Sequence, residues 1–139
     1  MWRIYAAGGA SVALVLPYER LRDSLNDPDL CIGQVMYFDY EKELVRSGNT
    51  LFPMMCKRRE FQYEQEVRII KLDWKVLGDP QDSETKTTID WNPQDHVEAI
   101  VINPYATEWQ GAAIRAAVHS LSSGLENRIR DSVMKGPPR

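Results

Sequence analysis

"VEAIVINPYATEWQGAAIRAAVHSL", residues 97–121, decides the fold. Its first seven residues are almost continuously apolar and stop at Pro104, the pattern of a strand covered on both faces. Thr107 then stands as N-cap of a helix over 107–121, with Trp109, Ala113, Ala116 and Ala117 near one stripe and Trp109 as the anchor in the core. A buried strand handing on to a helix requires a sheet beside the strand.

Upstream, "ASVALVL" (10–16) is a second buried strand, preceded by a short helix over 1–7 that Gly8-Gly9 closes. Pro17 opens a helix in which Leu21 and Leu25 share a face, and "NDPD" (26–29) breaks it. "LCIGQVMYFDY" (30–40) reads as one strand, with Tyr37, Phe38 and Tyr40 as strand packing, and 41–60 as helical in character, interrupted by Gly48 and Pro53. "EVRIIKL" (66–72) is a further strand, "GDPQDSE" (78–84) a loop and "TKTTIDW" (85–91) a strand. "ENRIRDSVMK" (126–135) leans to strand, and 136–139 form a loose tail. Strands and helices without regular alternation predict an α+β domain over 1–135, with a mixed sheet of about five to six strands holding 10–16, 30–40, 66–72 and 97–103, and the C-terminal helix packed on it.

Composition narrows the function. At 139 residues, with 43% hydrophobic and 27% charged residues, the chain is an ordinary globular sequence able to bury a core. A net charge of −3 gives no field that attracts nucleic acid or anionic lipid. The longest apolar run is too short to span a bilayer, and the first residues lack a signal-peptide pattern. Cys31 and Cys56 fit no metal spacing and read as reduced thiols of a cytoplasmic protein, while His96 and His119 have no ligand-like neighbours; no metal site is expected.

The chemistry-bearing stretch is "KRREFQYEQEVRII", residues 57–70. With a strand starting near Glu64, side chains 64, 66 and 68 share one face, while Val67 and Ile69 turn to the core. Arg68 neutralises one carboxylate and Lys57 or Arg58 reaches the other, an arrangement that drives paired carboxyl pKa values apart. Two readings stand: a solvent-facing row of ion pairs, or the working edge of a site. Burial reversed across these positions removes the working edge.

"MWRIYAAGGASVAL", "GQVMYFDY", "KRREFQYEQEVRII", "VINPYATEW" and "RDSVMKGPP" resemble, in order and over nearly the whole chain, the blocks of the bacterial family DUF2971. In that family the tryptophan block follows an N-terminal part with a "YxYxS"-like strand and an "NDPxE"-like loop, so the resemblance implies a domain lacking that part, and an exposed apolar face around Trp2 and Tyr5 available for an oligomer. The Glu-x-Glu at the strand entrance is also similar to the motif of ADP-ribosyltransferases. That similarity implies a nucleotide-using transferase acting on NAD, with Glu66 stabilising an oxocarbenium-like transition state, Glu64 orienting the acceptor and Arg68 beside them. Arg3, Tyr5, Lys57 and Arg58 would bind substrate. The chain departs from those enzymes in lacking their first dinucleotide-gripping strand and a Ser-Thr-Ser-like strand. The competing expectation is a non-enzymatic partner-binding or regulatory module, or an inactive fragment, that needs no cofactor.

Overall fold

The computed structural model describes residues 2–6, 8–44, 48–71 and 89–134. In chain order these form α1 (Trp2–Tyr5), β1 (Val12–Val15), α2 (Tyr18–Ser24), β2 (Leu30–Gln34), β3 (Met36–Phe38), β4 (Cys56–Arg58), β5 (Val67–Lys71), α3 (Pro93–His96), β6 (Ala99–Ile102), α4 (Glu108–Leu121) and β7 (Ile129–Asp131). Short 3-10 helices cover Pro53–Met55, Arg59–Glu64 and Ser123–Arg128. The class is α+β, with the strands distributed over a mixed three-stranded sheet and two two-stranded pairs. Two compact units result: Met1–Ser24 with Asp90–Arg139, and Leu25–Ile89.

In the first unit the sheet order is β1-β6-β7, with β1 antiparallel and β7 parallel to β6. The apolar run thus lies at the centre, and Ala99, Ile100 and Ile102 are buried. Parallel neighbours need a crossover between them, and α4 supplies it. A capping box starts α4: Thr107 accepts from the Gln110 amide, and the Gln110 side chain reaches back to the Thr107 amide. The same Gln110 donates to the Gly8 carbonyl at 3.1 Å and lies so close to Gly9 (φ +76°) that a Cβ there would sit 2.8 Å from its Oε1. Glycine therefore closes α1 for two reasons, its left-handed φ and the contact with α4. Buried Asn103 ties the same corner, donating to the Ser11 hydroxyl at 2.9 Å and accepting from the Tyr105 amide at 2.8 Å. Val97, Ile100 and Leu125 form the core cluster, with Trp91, Val118 and Ile129 packed against it.

Helix α4 corrects the expected anchor. Trp109 is 69% exposed, and Ala113, Ala116 and Ala117 face outward with it, while Ile114 and Val118 turn to the sheet. One helical stripe alone can face the sheet, and the bulkier Ile114 and Val118 remove more apolar surface from water there than three alanines.

In the second unit β2 pairs antiparallel with β5, and β3 pairs parallel with β4. The expected single strand over 30–40 breaks at buried Val35, whose amide donates to the Glu66 carbonyl at 2.9 Å before the chain leaves for a different partner. Over its described residues the expected helical stretch 41–60 is instead turns, the 3-10 helix Pro53–Met55, strand β4 and the start of the 3-10 helix Arg59–Glu64. Pro53 has no amide proton and fits only the first turn of such a helix. The four apolar segments do not share one sheet: β1 and β7 flank β6, while β2 and β5 pair with each other in a separate two-stranded sheet. Ile89–Trp91 carry no strand; residues 72–88, with the expected 78–84 loop and most of the 85–91 strand, lie outside the described residues, as does the 136–139 tail.

Candidate functional site

Lys57, Glu64, Glu66 and Arg68 converge in the second unit. Strand β4 presents Lys57, the 3-10 helix Arg59–Glu64 folds the chain back, and Gln65 turns it into β5 with a left-handed backbone (φ 45°, ψ 48°). Lys57 Nζ pairs with Glu64 and, at 3.2 Å, with Glu66. Arg68 grips Glu66 with both arms, Nε to Oε1 at 2.6 Å and Nη2 to Oε2 at 3.1 Å, and also donates to the Met54 carbonyl. The Glu66 peptide is held on both sides: its amide donates to the Tyr37 hydroxyl at 2.8 Å, and its carbonyl accepts from Val35. Lys57 also lies 4.9 Å above the Phe61 ring.

Two cations and two carboxylates neutralise one another here, which offsets their partial removal from water. The hydrogen bond from Arg68 above all holds the Glu66 carboxyl below its ordinary range, against the opposing effect of burial and with a lesser contribution from Lys57. Glu64 in turn raises Lys57, and Glu66 raises Arg68. All three stay charged at neutral pH, so Glu66 is a fixed anion and not a proton shuttle.

Burial across the strand is the reverse of the expectation. The Glu64 side chain is 6% exposed and that of Glu66 29%, whereas Val67 and Ile69 are 43% and 39% exposed. The strand begins at Val67, and the left-handed Gln65 breaks the alternation between Glu64 and β5. Turning inward also lets the charges find Lys57 and the Met54 carbonyl. An outward working edge is therefore lost, and the cluster acts as a clamp joining β5 to β4.

The other proposed site residues fall elsewhere. Arg58 is exposed and takes no part in the cluster's ion pairs. In the first unit the Arg3 guanidinium sits 5.3 Å over the Tyr105 ring. Tyr5, largely exposed, borders an apolar cavity of about 330 Å³ with Trp2, Ala6, Ser11, Val12 and Ala13. The cavity lies beside β1, whose second side is unpaired among the described residues. Val12, Leu14 and Val15 of that strand are exposed, as are Ile4 and Tyr5, the incomplete apolar burial expected around the tryptophan block. Sequence reasoning missed Tyr37 and Gln65, because nothing local marks a hydroxyl that meets a peptide 29 residues away or a glutamine with positive φ.

Residues 1–69 match the family model of DUF2971, described as a protein of unknown function. The resembling blocks at 101–109 and 130–138 lie beyond that match. No curated protein and no solved structure matches the chain. Among the described residues no helix is long and apolar enough to cross a membrane.

Proposed function

We propose that this chain, a DUF2971 protein by the match over residues 1–69, is a partner-binding module that takes an extended segment of another protein along β1. The observation that carries this reading is the side of β1 left unpaired among the described residues, beside the apolar cavity. Edge strands usually discourage pairing with charge, proline or a bulge. Residues 11–16, Ser-Val-Ala-Leu-Val-Leu, have none of these. An added strand would gain main-chain hydrogen bonds, with alternate side chains entering the cavity lined by Trp2 and Tyr5. The two thiols, both unbridged, suit a reducing cytoplasm.

Backbone geometry supplies the test. The carbonyls of Ser11 and Val15 accept from Asn103 and Glu98, so the peptide groups of Val12 and Leu14 face away from β6. Leu14→Pro removes an outward N–H and leaves the β1–β6 ladder intact. Proteins cross-linked to and identified with the native chain should be lost with Leu14→Pro at unchanged melting temperature. An identical set from both chains overturns the reading.

One observation favours a nucleotide-using transferase as a second reading: Lys57, Glu64, Glu66 and Arg68 do converge, and Glu66 is ionised, the state in which a carboxylate stabilises developing positive charge. Both Glu66 oxygens are already engaged by Arg68, so substrate would have to displace an arginine fork. Release of nicotinamide from NAD separates the two readings.

A further inference from the structure

We propose that the segment taken along β1 is the C-terminus of a partner chain: it runs antiparallel to β1, sets its last apolar side chain in the cavity of Trp2 and Tyr5, and gives its terminal carboxylate to Arg3. The inference rests on the β1 reading above and adds the chemistry of the ligand's end.

Direction follows from what stands beside the strand. Strand β1 runs from Val12 to Val15, so a segment antiparallel to it ends next to the residues that precede Val12. There a second cavity, of about 580 Å³, is lined by Arg3, Gly8, Gly9, Tyr105 and Gln110 among others, with no acidic side chain in its wall among the described residues. Ala6 lines both this cavity and the apolar one. The last side chain of a protein and its carboxylate leave the same Cα. Neighbouring cavities, one apolar and one cationic, therefore suit the two together.

Charge selects a carboxylate. Among the described residues no acid pairs with Arg3, unlike Arg20, Arg22 and Arg115 of the same unit, each of which has one. Arg3 is exposed, and its contact is with the face of Tyr105, 5.3 Å from the ring centre. The ring steadies the guanidinium and leaves its N–H donors without an acceptor. Backbone donors stand close by. The amides of Gly8 and Ser11 close on the carbonyls of Ala6 and Gly9, but those of Gly9 and Ala10 make no hydrogen bond among the described residues. The positive φ of Gly9 is the kind of conformation in which successive amides form an anion-binding hollow, a recurrent way of capturing a C-terminal carboxylate. An internal segment brings no such charge to this end of the strand. A small free anion fits Arg3 but leaves the apolar cavity beside it empty.

The test is an array of synthetic random peptides of about eight residues, long enough to pair with the strand, each made with a free C-terminal carboxylate and again with a C-terminal amide. The labelled native chain should select free acids ending in Val, Ile, Leu or Phe, and bind their amides at least about tenfold more weakly in solution. Arg3→Gln, with an unchanged melting temperature, should bind the two forms alike. Arg3→Lys, which keeps the charge, should retain a preference for the acid, and Leu14→Pro should lose both forms. Amides that bind the native chain as well as the acids do, and are lost with Leu14→Pro, overturn the C-terminal ligand and leave the β1 reading standing. Selected peptides that still bind Leu14→Pro overturn both. A native chain that selects no peptide overturns this inference, and the cross-linking comparison then judges the edge by itself.

Discussion

Glu66 is the residue on which both the fold of the second unit and its chemistry turn. Glu66→Gln keeps the shape but gives up the charge that Arg68 and Lys57 share, and should lower stability by about 1–3 kcal/mol in urea unfolding. Its pH dependence has a defined sign. The folded pKa lies below the unfolded one, so the contribution is present above the unfolded value, near ~4.3, and disappears as pH falls through the folded value. The stability gap between native chain and Glu66→Gln should therefore be constant at neutral pH and close below about pH 4. Equal pH curves for the two chains would contradict this. Gln65 offers a second check. A left-handed conformation costs a residue with a Cβ roughly 1–2 kcal/mol, so Gln65→Gly should be neutral or stabilising and Gln65→Val clearly destabilising. That Arg68 neutralises one of the two carboxylates was legible from the spacing. The inward turn was not, since alternating charges and β-branched residues fit either face, and only the kink at Gln65 selects one.

At the scale of elements, the most readable segments were those whose environment is uniform. "VEAIVIN" is apolar at nearly every position because β6 is covered on both faces and flanked on both edges. Thr107 marked the start of α4 as its N-cap; the partner role of Gln110 emerged only with the structure. The break at Val35 and the strand at 56–58 were hidden, because each depends on a partner distant in sequence: Glu66 for the first, β3 for the second. The face of α4 was hidden too, since two apolar stripes compete and only the sheet decides between them. Substitutions should report that choice. Ile100→Ala, in the core cluster, should cost about 2–5 kcal/mol, Thr107→Ala about 1 kcal/mol through loss of the cap, and Trp109→Gln under about 0.5 kcal/mol in dilute solution. A large loss at Trp109 in a monomer would place that ring inside the fold.

At the scale of the molecule, the proposed docking edge and the charged cluster belong to different units. The cluster lies within the unit Leu25–Ile89 and is satisfied by its own ion pairs, whereas the unpaired edge and the apolar cavity belong to the unit built on β1 and β6. The family resemblance was legible because its blocks recur in order, and the match over residues 1–69 agrees with it. The role of the carboxylates was not, since an ion-pair clamp and a catalytic pair use the same residue types. One experiment divides those roles: nicotinamide release from NAD followed alongside the melting of the native chain and of Glu66→Gln. A structural clamp predicts no release from either protein and a lower melting temperature for Glu66→Gln. Release by the native chain that falls about 10²–10³-fold in Glu66→Gln, with the melting temperature unchanged, would contradict the clamp and make Glu66 catalytic.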